Sequence, residues 1–301
     1  MKLVVIEPIG IEKTRIEEVL AEVLPGVEVV VYEDRAEGDA LLRRGMDADW
    51  ILVANQKIAP EIYRAWTRLT HLFVAFTGLD HIPMEELRSR GVSIDHASGY
   101  SDIAVSEHVI ALVLAYFRRI PENDTRTRTG GIETVPGEEI AGKTVGIIGL
   151  GNIGRRTAKL FLAFGARVLF YNRSEKSLDG AGSVSLDRLL RESDIVSLHL
   201  PLNDETRGFL GDAELSKMKA SAVLVNCARG VIVEEAALTR ALSEKRIRAA
   251  LLDVFTDEPP IAKRPLLTST DTIFTPHIAF FTREALERRF AILIEKMRAA
   301  R

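Results

Sequence analysis

The stretch Thr144-Val145-Gly146-Ile147-Ile148-Gly149-Leu150-Gly151-Asn152-Ile153-Gly154 decides the architecture of this chain. It begins as a short β-branched run, the pattern of a buried strand. Glycines then recur in the order G-x-G-x-x-G, and Asn152 opens a helix expected to run to about Phe164, with Gly165 as its stop. In a strand–turn–helix unit the first glycine permits the tight turn and the second lets backbone approach a pyrophosphate. The third lets helix pack closely on strand. The unsatisfied N–H groups and dipole of the helix N-terminus then favour phosphate. Gly149, Gly151, Asn152, Ile153 and Gly154 are therefore candidate dinucleotide-binding residues.

The same alternation continues on both sides. Downstream, strands are expected over 168–171, 195–200, 222–226, 249–254 and 272–275, which makes a doubly wound sheet. Upstream, strands over 3–6, 27–32, 50–54, 72–75 and 92–96 alternate with helices over 12–24, 37–44, 60–69 and 84–90. Five such units make a small flavodoxin-like sheet. The fold class is α/β, with two Rossmann-like domains. Between the sheets a helix starts at Ser101 or Asp102 and ends before Pro121. Residues 109–117 are apolar on every side, so this helix is expected to be buried all round, at a domain or subunit interface. Residues 122–139 read as a polar loop, either reaching to a second subunit or lying on the surface. A closing helix after Thr282 carries one apolar stripe of Leu286, Phe290, Leu293 and Met297.

Composition bounds the function. At 301 residues, 47% apolar and 28% charged, the chain suits a globular protein of two domains. A formal charge of −3 gives no footprint for nucleic acid or an acidic membrane. Scattered basic pairs, among them Arg43-Arg44 and Arg288-Arg289, read as solvated helix faces. Glu7 and Pro8 come too early for a signal peptide, and the run 109–117 is too short to span a bilayer. The single cysteine, Cys227, excludes an internal disulfide and a Cys-based zinc site. A cytoplasmic protein without a metal is expected.

The strand after the glycine turn ends in Asn172-Arg173-Ser174. NAD sites usually place an acid here for the ribose hydroxyls. Asn172 would not repel a 2′-phosphate, Arg173 can pair with it bidentately and Ser174 can donate to it. NADP(H) is thus favoured, with NAD(H) possible if Arg173 only stacks on adenine.

Three later stretches carry chemistry: Val223-Leu224-Val225-Asn226-Cys227-Ala228-Arg229-Gly230, Asp253-Val254-Phe255-Thr256-Asp257-Glu258-Pro259 and Thr275-Pro276-His277. Each leaves the carboxyl end of a strand, the usual ligand edge of a parallel sheet. Hydride delivery to a 2-oxo acid builds negative charge on the carbonyl oxygen, so a cation and a proton donor must converge there. Arg229 matches a planar carboxylate, and a histidine paired with a carboxylate can hold a proton near neutral pH.

These motifs resemble those of the D-isomer-specific 2-hydroxyacid dehydrogenase family. The likeness is carried by Gly149 to Gly154, His199-Leu200-Pro201-Leu202 with Thr206-Arg207, Val225 to Gly230, Leu252 to Pro259 and Pro276-His277-Ile278-Ala279. Phe76-Thr77-Gly78-Leu79-Asp80-His81-Ile82 and Ala104-Val105-Ser106-Glu107-His108 add to it. The resemblance implies that Arg229 binds the substrate carboxylate and polarises the 2-oxo group, that His277 is the general acid, and that Glu258 orients it. It implies that Asp253 bonds the nicotinamide carboxamide and that the backbone at Thr77 and Gly78 cradles the substrate carboxylate. His199, Leu200, Pro201 and Thr206 would lie along the cofactor, with Cys227 packing and contributing backbone beside nicotinamide. His71, His81, His96 and His108 read as structural.

The division that follows is a substrate domain of residues 1–100 and 280–301 and a dinucleotide-binding domain of residues 101–279, with substrate in the cleft between them. Phe280-Phe281-Thr282 departs from the small residue that many members have after Ala279. It resembles the D-lactate and D-hydroxyisocaproate dehydrogenase branch, so Phe280 is a candidate substrate-binding residue. Asn172-Arg173-Ser174 instead resembles the NADPH-using glyoxylate and hydroxypyruvate reductases. The expectation is a dehydrogenase passing a hydride between NADP(H) or NAD(H) and a small 2-oxo acid, working as a homodimer. A nucleotide-sensing binding protein of the corepressor type is the alternative, and a non-carboxylate substrate such as phosphite stays open.

Overall fold

Short apolar runs and amphipathic stretches fold into two parallel-sheet units in this computed structural model, which describes residues 1–132, 135–258 and 264–301. One unit comprises Met1–Ser101 with Phe281–Arg301, the other Asp102–Phe280. Pro259, which closes the second chemical stretch, lies outside the described residues.

The first unit runs β1 (Lys2–Val5), α1 (Lys13–Val23), β2 (Glu28–Val31), α2 (Gly38–Gly45), β3 (Trp50–Val53), α3 (Pro60–Ala65), β4 (His71–Val74), α4 (Met84–Ser89) and β5 (Ser93–His96). Its strands are parallel in the order β2-β1-β3-β4-β5, the flavodoxin order. Every residue of β3 and β4 is buried, which is why both read as continuous rather than alternating apolar runs. The C-terminal helix, Arg283–Ala300, belongs to this unit; the Thr282 hydroxyl accepts from the Ala285 amide and caps it. Leu286, Phe290, Leu293 and Met297 are buried as the stripe predicts. Arg289 is not a solvated residue: it is 3% exposed, donates to the Ile9 carbonyl and lies over the Tyr100 ring. Arg44 likewise covers the Tyr32 ring and pairs with Asp34. Their stems and flat guanidinium faces pack where a charge count alone puts them in water.

The second unit runs α5 (Asp102–Phe117), α6 (Ile120–Arg128), β6 (Thr144–Ile148), α7 (Asn152–Ala163), β7 (Arg167–Tyr171), β8 (Ala181–Ser183), α8 (Leu186–Glu192), β9 (Ile195–Leu198), α9 (Asp212–Leu215), β10 (Val223–Asn226), α10 (Glu235–Ser243), β11 (Ala249–Leu252) and β12 (Thr272–Phe274). The strands are parallel in the order β12-β11-β10-β9-β6-β7-β8. The winding direction reverses at β6, and this switch point opens the crevice where doubly wound sheets bind nucleotides. Residue alternation along β6 splits the core in two. Val145 and Ile147 pack with Val109, Val113 and Phe117 of α5, whereas Ile148 packs with Leu189 and Leu190 of α8.

Within the chain α5 leaves Ala111 exposed and Leu114 and Tyr116 half-buried, the side that the expected subunit interface would cover. One expectation changes here. Part of the stretch read as a loop is helix α6, which buries no residue. It has no apolar stripe to give a periodic signal. It is held instead by Pro121 in its first turn, by Thr125 and Thr127 hydroxyls on carbonyls four residues back, and by an Asp124–Arg128 pair at 2.8 Å.

Candidate active site

The β6–α7 turn is shaped for an anion. Gly149 has φ 95°, and a Cβ there would lie 2.5 Å from the His199 carbonyl oxygen, so backbone from the end of β9 presses on the turn. A Cβ on Gly154 would overlap the Gly149 carbonyl. At Gly151, by contrast, nothing lies within 4 Å of a Cβ position, and no side chain caps α7. The helix therefore presents main-chain N–H groups to open space, which fits a pyrophosphate.

At the end of β7, Asn172 Oδ1 accepts the Leu150 amide at 3.0 Å, while its Nδ2 donates to the Ser174 carbonyl and hydroxyl oxygens at 2.8 and 3.0 Å. Arg173 Nη1 donates to Glu205 Oε2, and both side chains are largely exposed. Glu205 stands in the loop after β9. The guanidinium at the end of β7 is thus paired with a carboxylate from outside the stretch 172–174. The remaining cofactor candidates from β9 onward are mostly committed within the fold. Ser197 Oγ and His199 Nε2 lie 2.9 Å apart, and burial pushes the His199 imidazole down to about 3, so it is neutral in ordinary buffers. Leu200 and Pro201 follow at the strand end. The buried Thr206 donates to the Pro201 carbonyl at 2.7 Å and accepts the Asn203 amide at 2.9 Å. Burial, with the Asp253 charge added, pushes the Cys227 thiol well above its ordinary range, so it is no nucleophile.

Arg229, Glu258 and His277 follow β10, β11 and β12, three neighbouring strands of one edge. The buried Asn226 shapes the first of these turns: its Oδ1 accepts the Ala228 amide and its Nδ2 donates to the Arg229 carbonyl, at 3.0 and 2.9 Å. Gly230 is required next, because a Cβ there would overlap the Phe255 carbonyl. His277 has φ 56°, the left-handed region that a non-glycine residue enters only when its surroundings over-determine it. Its Nδ1 lies 2.6 Å from Glu258 Oε2, and Glu258 Oε1 accepts the Phe255 amide at 3.1 Å. Burial pushes the Glu258 carboxyl up. The bond and charge of His277, the Phe255 amide and the Arg229 guanidinium together outweigh it and hold the carboxyl below its usual range.

The wholly buried Asp253 supplies the over-determination. Its main-chain carbonyl accepts the His277 amide at 2.7 Å. Its carboxylate accepts the Thr275 hydroxyl at 2.5 Å and the amides of Ile278 and Ala279 at 2.9 and 2.8 Å. Since Thr275 gives its proton to Asp253, the contact between His108 Nε2 and Thr275 Oγ1 at 3.1 Å makes His108 the donor. His108 sits on α5 and lies 3.6 Å from Asp253. Burial pushes its imidazole down, against the pull of that carboxylate. Sequence spacing gave Asn226, Gly230 and His108 no site role. Only the glycine carried a usable signal, as a small residue directly after a presented arginine.

Phe280 meets the His277 ring edge-on, with centroids 5.7 Å apart. Thr77 and Gly78 lie in the other unit, after β4, where the Thr77 hydroxyl donates to the Ala97 carbonyl at 3.2 Å. Among the described residues no group of three His, Cys, Asp or Glu side chains converges as metal ligands would.

Residues 110–279 match the family model described as the D-isomer specific 2-hydroxyacid dehydrogenase, NAD binding domain. A glyoxylate reductase of Thermofilum pendens is 38% identical over 87% of this chain and 81% of its own length. An acyclic imino acid reductase solved in complex with NADPH and D-Arg superposes with a TM-score of 0.90 at 32% identity, covering 100% of this chain and 97% of that one. A D-lactate dehydrogenase from Aquifex aeolicus, solved with NAD and lactic acid, gives 0.87 at 28%, covering 100% and 95%. The glycine turn at the switch point, the three strand-end residues and these likenesses lead to one conclusion: the chain belongs to the D-isomer-specific 2-hydroxyacid dehydrogenases, oxidoreductases acting on 2-oxo and 2-hydroxy acids.

Proposed function

We propose that this dehydrogenase reduces a small 2-oxo acid to the D-2-hydroxy acid, with NADP(H) preferred and NAD(H) accepted. The observation that carries the reading is the His277 Nδ1 to Glu258 Oε2 contact of 2.6 Å, formed at a left-handed histidine two strands from Arg229. The nicotinamide, when bound, supplies the hydride. Arg229 holds the substrate carboxylate and draws charge from the 2-oxo group as negative charge develops on its oxygen. With Nδ1 turned to Glu258, His277 offers Nε2 as the proton donor to that oxygen, and takes the proton back during oxidation. Asp253 fixes the histidine's backbone and serves the carboxamide side of the cofactor. Thr77 and Gly78 contribute backbone to the substrate carboxylate.

Gly149, Gly151, Asn152, Ile153 and Gly154 hold the pyrophosphate, and Arg173 with Ser174 meets the adenosine ribose. NADPH preference is supported by a guanidinium, rather than an acid, at the end of β7. The Phe280 ring against His277 supports its role beside the substrate side chain. Homodimer formation through the open side of α5 and the unburied α6 is supported by exposed Ile120 and Ile132. No helix among the described residues is long and apolar enough to cross a membrane, and the cytoplasm is the proposed site of action. The nucleotide-sensing alternative is not favoured, because the relatives and neighbours named above are enzymes.

The test is initial-rate oxidation of NADPH and NADH against glyoxylate, hydroxypyruvate, pyruvate and 2-oxoisocaproate. An ammonium-supplemented arm tests a 2-imino acid. Turnover lost in His277→Ala, with cofactor affinity kept, is expected. No turnover on any of these acids despite tight cofactor binding would overturn the substrate assignment. Light scattering on the eluting protein tests the dimer.

A further inference from the structure

We propose that Glu205 sets this enzyme's discrimination between NADPH and NADH, by neutralising Arg173 and by presenting a carboxylate to the adenosine ribose. The proposal rests on the reading that this ribose lies at the end of β7. Two observations support it. The first is the pairing itself: Arg173 Nη1 donates to Glu205 Oε2 across 32 residues of sequence. The loops after β7 and β9 flank the glycine turn because their strands lie on either side of β6.

The second is that Glu205 stands on a built platform. Asn203 Oδ1 accepts the amides of both Glu205 and Thr206 at 3.0 Å, and the Asn203 amide in turn donates to Thr206 Oγ1. Thr206 also donates to the Pro201 carbonyl, so the loop backbone is fixed while the Glu205 side chain stays exposed. Asn172, the residue where an NAD site usually has its acid, spends both amide functions on Leu150 and Ser174. Glu205 therefore takes over that acid's task from a different strand.

A 2′-hydroxyl can donate to a carboxylate, whereas a 2′-phosphate carries nearly two negative charges. To bind NADPH, the phosphate must compete with Glu205 for Arg173 and tolerate its charge. Arg173 alone would give strong NADPH selectivity; Arg173 with Glu205 gives an enzyme that uses both cofactors.

The experiment is fluorescence titration of the purified wild-type, Glu205→Gln and Arg173→Ala proteins with NADPH and with NADH. A charge pair a few ångströms apart in a solvent-exposed site is worth about fivefold in affinity. Glu205→Gln is expected to raise the NADPH-to-NADH affinity ratio by about fivefold or more, and added salt should shrink the gain. A ratio that stays within about twofold of wild type, while Arg173→Ala still weakens NADPH, overturns the role of Glu205 alone. If Arg173→Ala leaves NADPH binding unchanged, or wild type binds neither cofactor, the underlying placement of the ribose fails as well. Both side chains are largely exposed, and circular dichroism checks that the variants stay folded.

Discussion

Asp253 accepts the amide of His277 through its main-chain carbonyl at 2.7 Å, while its carboxylate takes the amides of the next two residues. The general-acid candidate is thus fixed by its backbone before any side-chain partner acts. Asp253→Asn puts an NH2 group where an N–H or O–H now donates, leaving at least one buried donor unsatisfied at about 1–3 kcal/mol. The expected result is a fall in kcat of about a hundredfold and a Tm lower by several degrees. Steady-state rates and a thermal scan check it; full activity with unchanged Tm would contradict the account.

Glu258 bears on the same histidine from its side chain. Its carboxyl is held below the usual range, so it is ionised throughout the range in which the enzyme would be assayed. Glu258→Gln removes that negative charge while keeping an oxygen for the Phe255 amide. In the direction of reduction the alkaline limb of kcat should move to lower pH, and the neutral rate should fall at least tenfold. Cofactor affinity should hold. A pH profile that does not move would exclude Glu258 as the partner of the proton donor.

Gly230 touches the chain where Arg229 is presented. A Cβ there would overlap the main-chain carbonyl of Phe255, and backbone cannot swing aside as a flexible side chain does. Gly230→Ala should cost about 1–3 kcal/mol in stability and displace Arg229. Urea denaturation gives the first quantity. A raised KM for the 2-oxo acid together with a lowered kcat reports the second.

His199 makes a separate prediction about pH and stability. Its imidazole stays neutral in the fold down to about pH 3, whereas an unfolded histidine takes up a proton near 6.5. Below that value the unfolded state binds the extra proton, so stability falls as pH drops from about 6.5 towards 3, and the term is absent above 6.5. The slope of one such group is about 1.4 kcal/mol per pH unit. His199→Gln should lessen the acid-side loss of stability by up to that slope, as read from urea unfolding between pH 6.5 and 4.5. An unaltered slope would show that His199 already titrates freely.

Much of this was legible in the residues. Thr144–Ile148 with Gly149, Gly151 and Gly154 announces strand, turn and helix because an all-buried apolar run leads straight into the glycine spacing of a tight turn, where Gly149 and Gly154 have no room for a Cβ and Gly151 leaves open space. Arg229, Glu258 and His277 are legible because each follows an apolar run at a strand end, where parallel topology puts ligands. Helix α6 and strand β8 were not legible, since neither has the apolar periodicity that burial imprints on a sequence. The burial of Arg289 was hidden for the converse reason, a charge whose partners, Ile9 and Tyr100, lie far away along the chain.

By itself, then, the sequence determined the α/β class, the glycine turn and the identity of the three strand-end residues, all consequences of short-range sterics and of period-two or all-buried apolar patterning. The tertiary structure decided what those residues are held by. Asp253 grips the turn of His277, His108 reaches Thr275 from a helix more than a hundred residues upstream, and Glu205 meets Arg173 across β6. Each link joins segments that only strand order makes neighbours. A hydrogen bond depends on a few tenths of an ångström between groups remote in the chain, and no local pattern of residues records that distance.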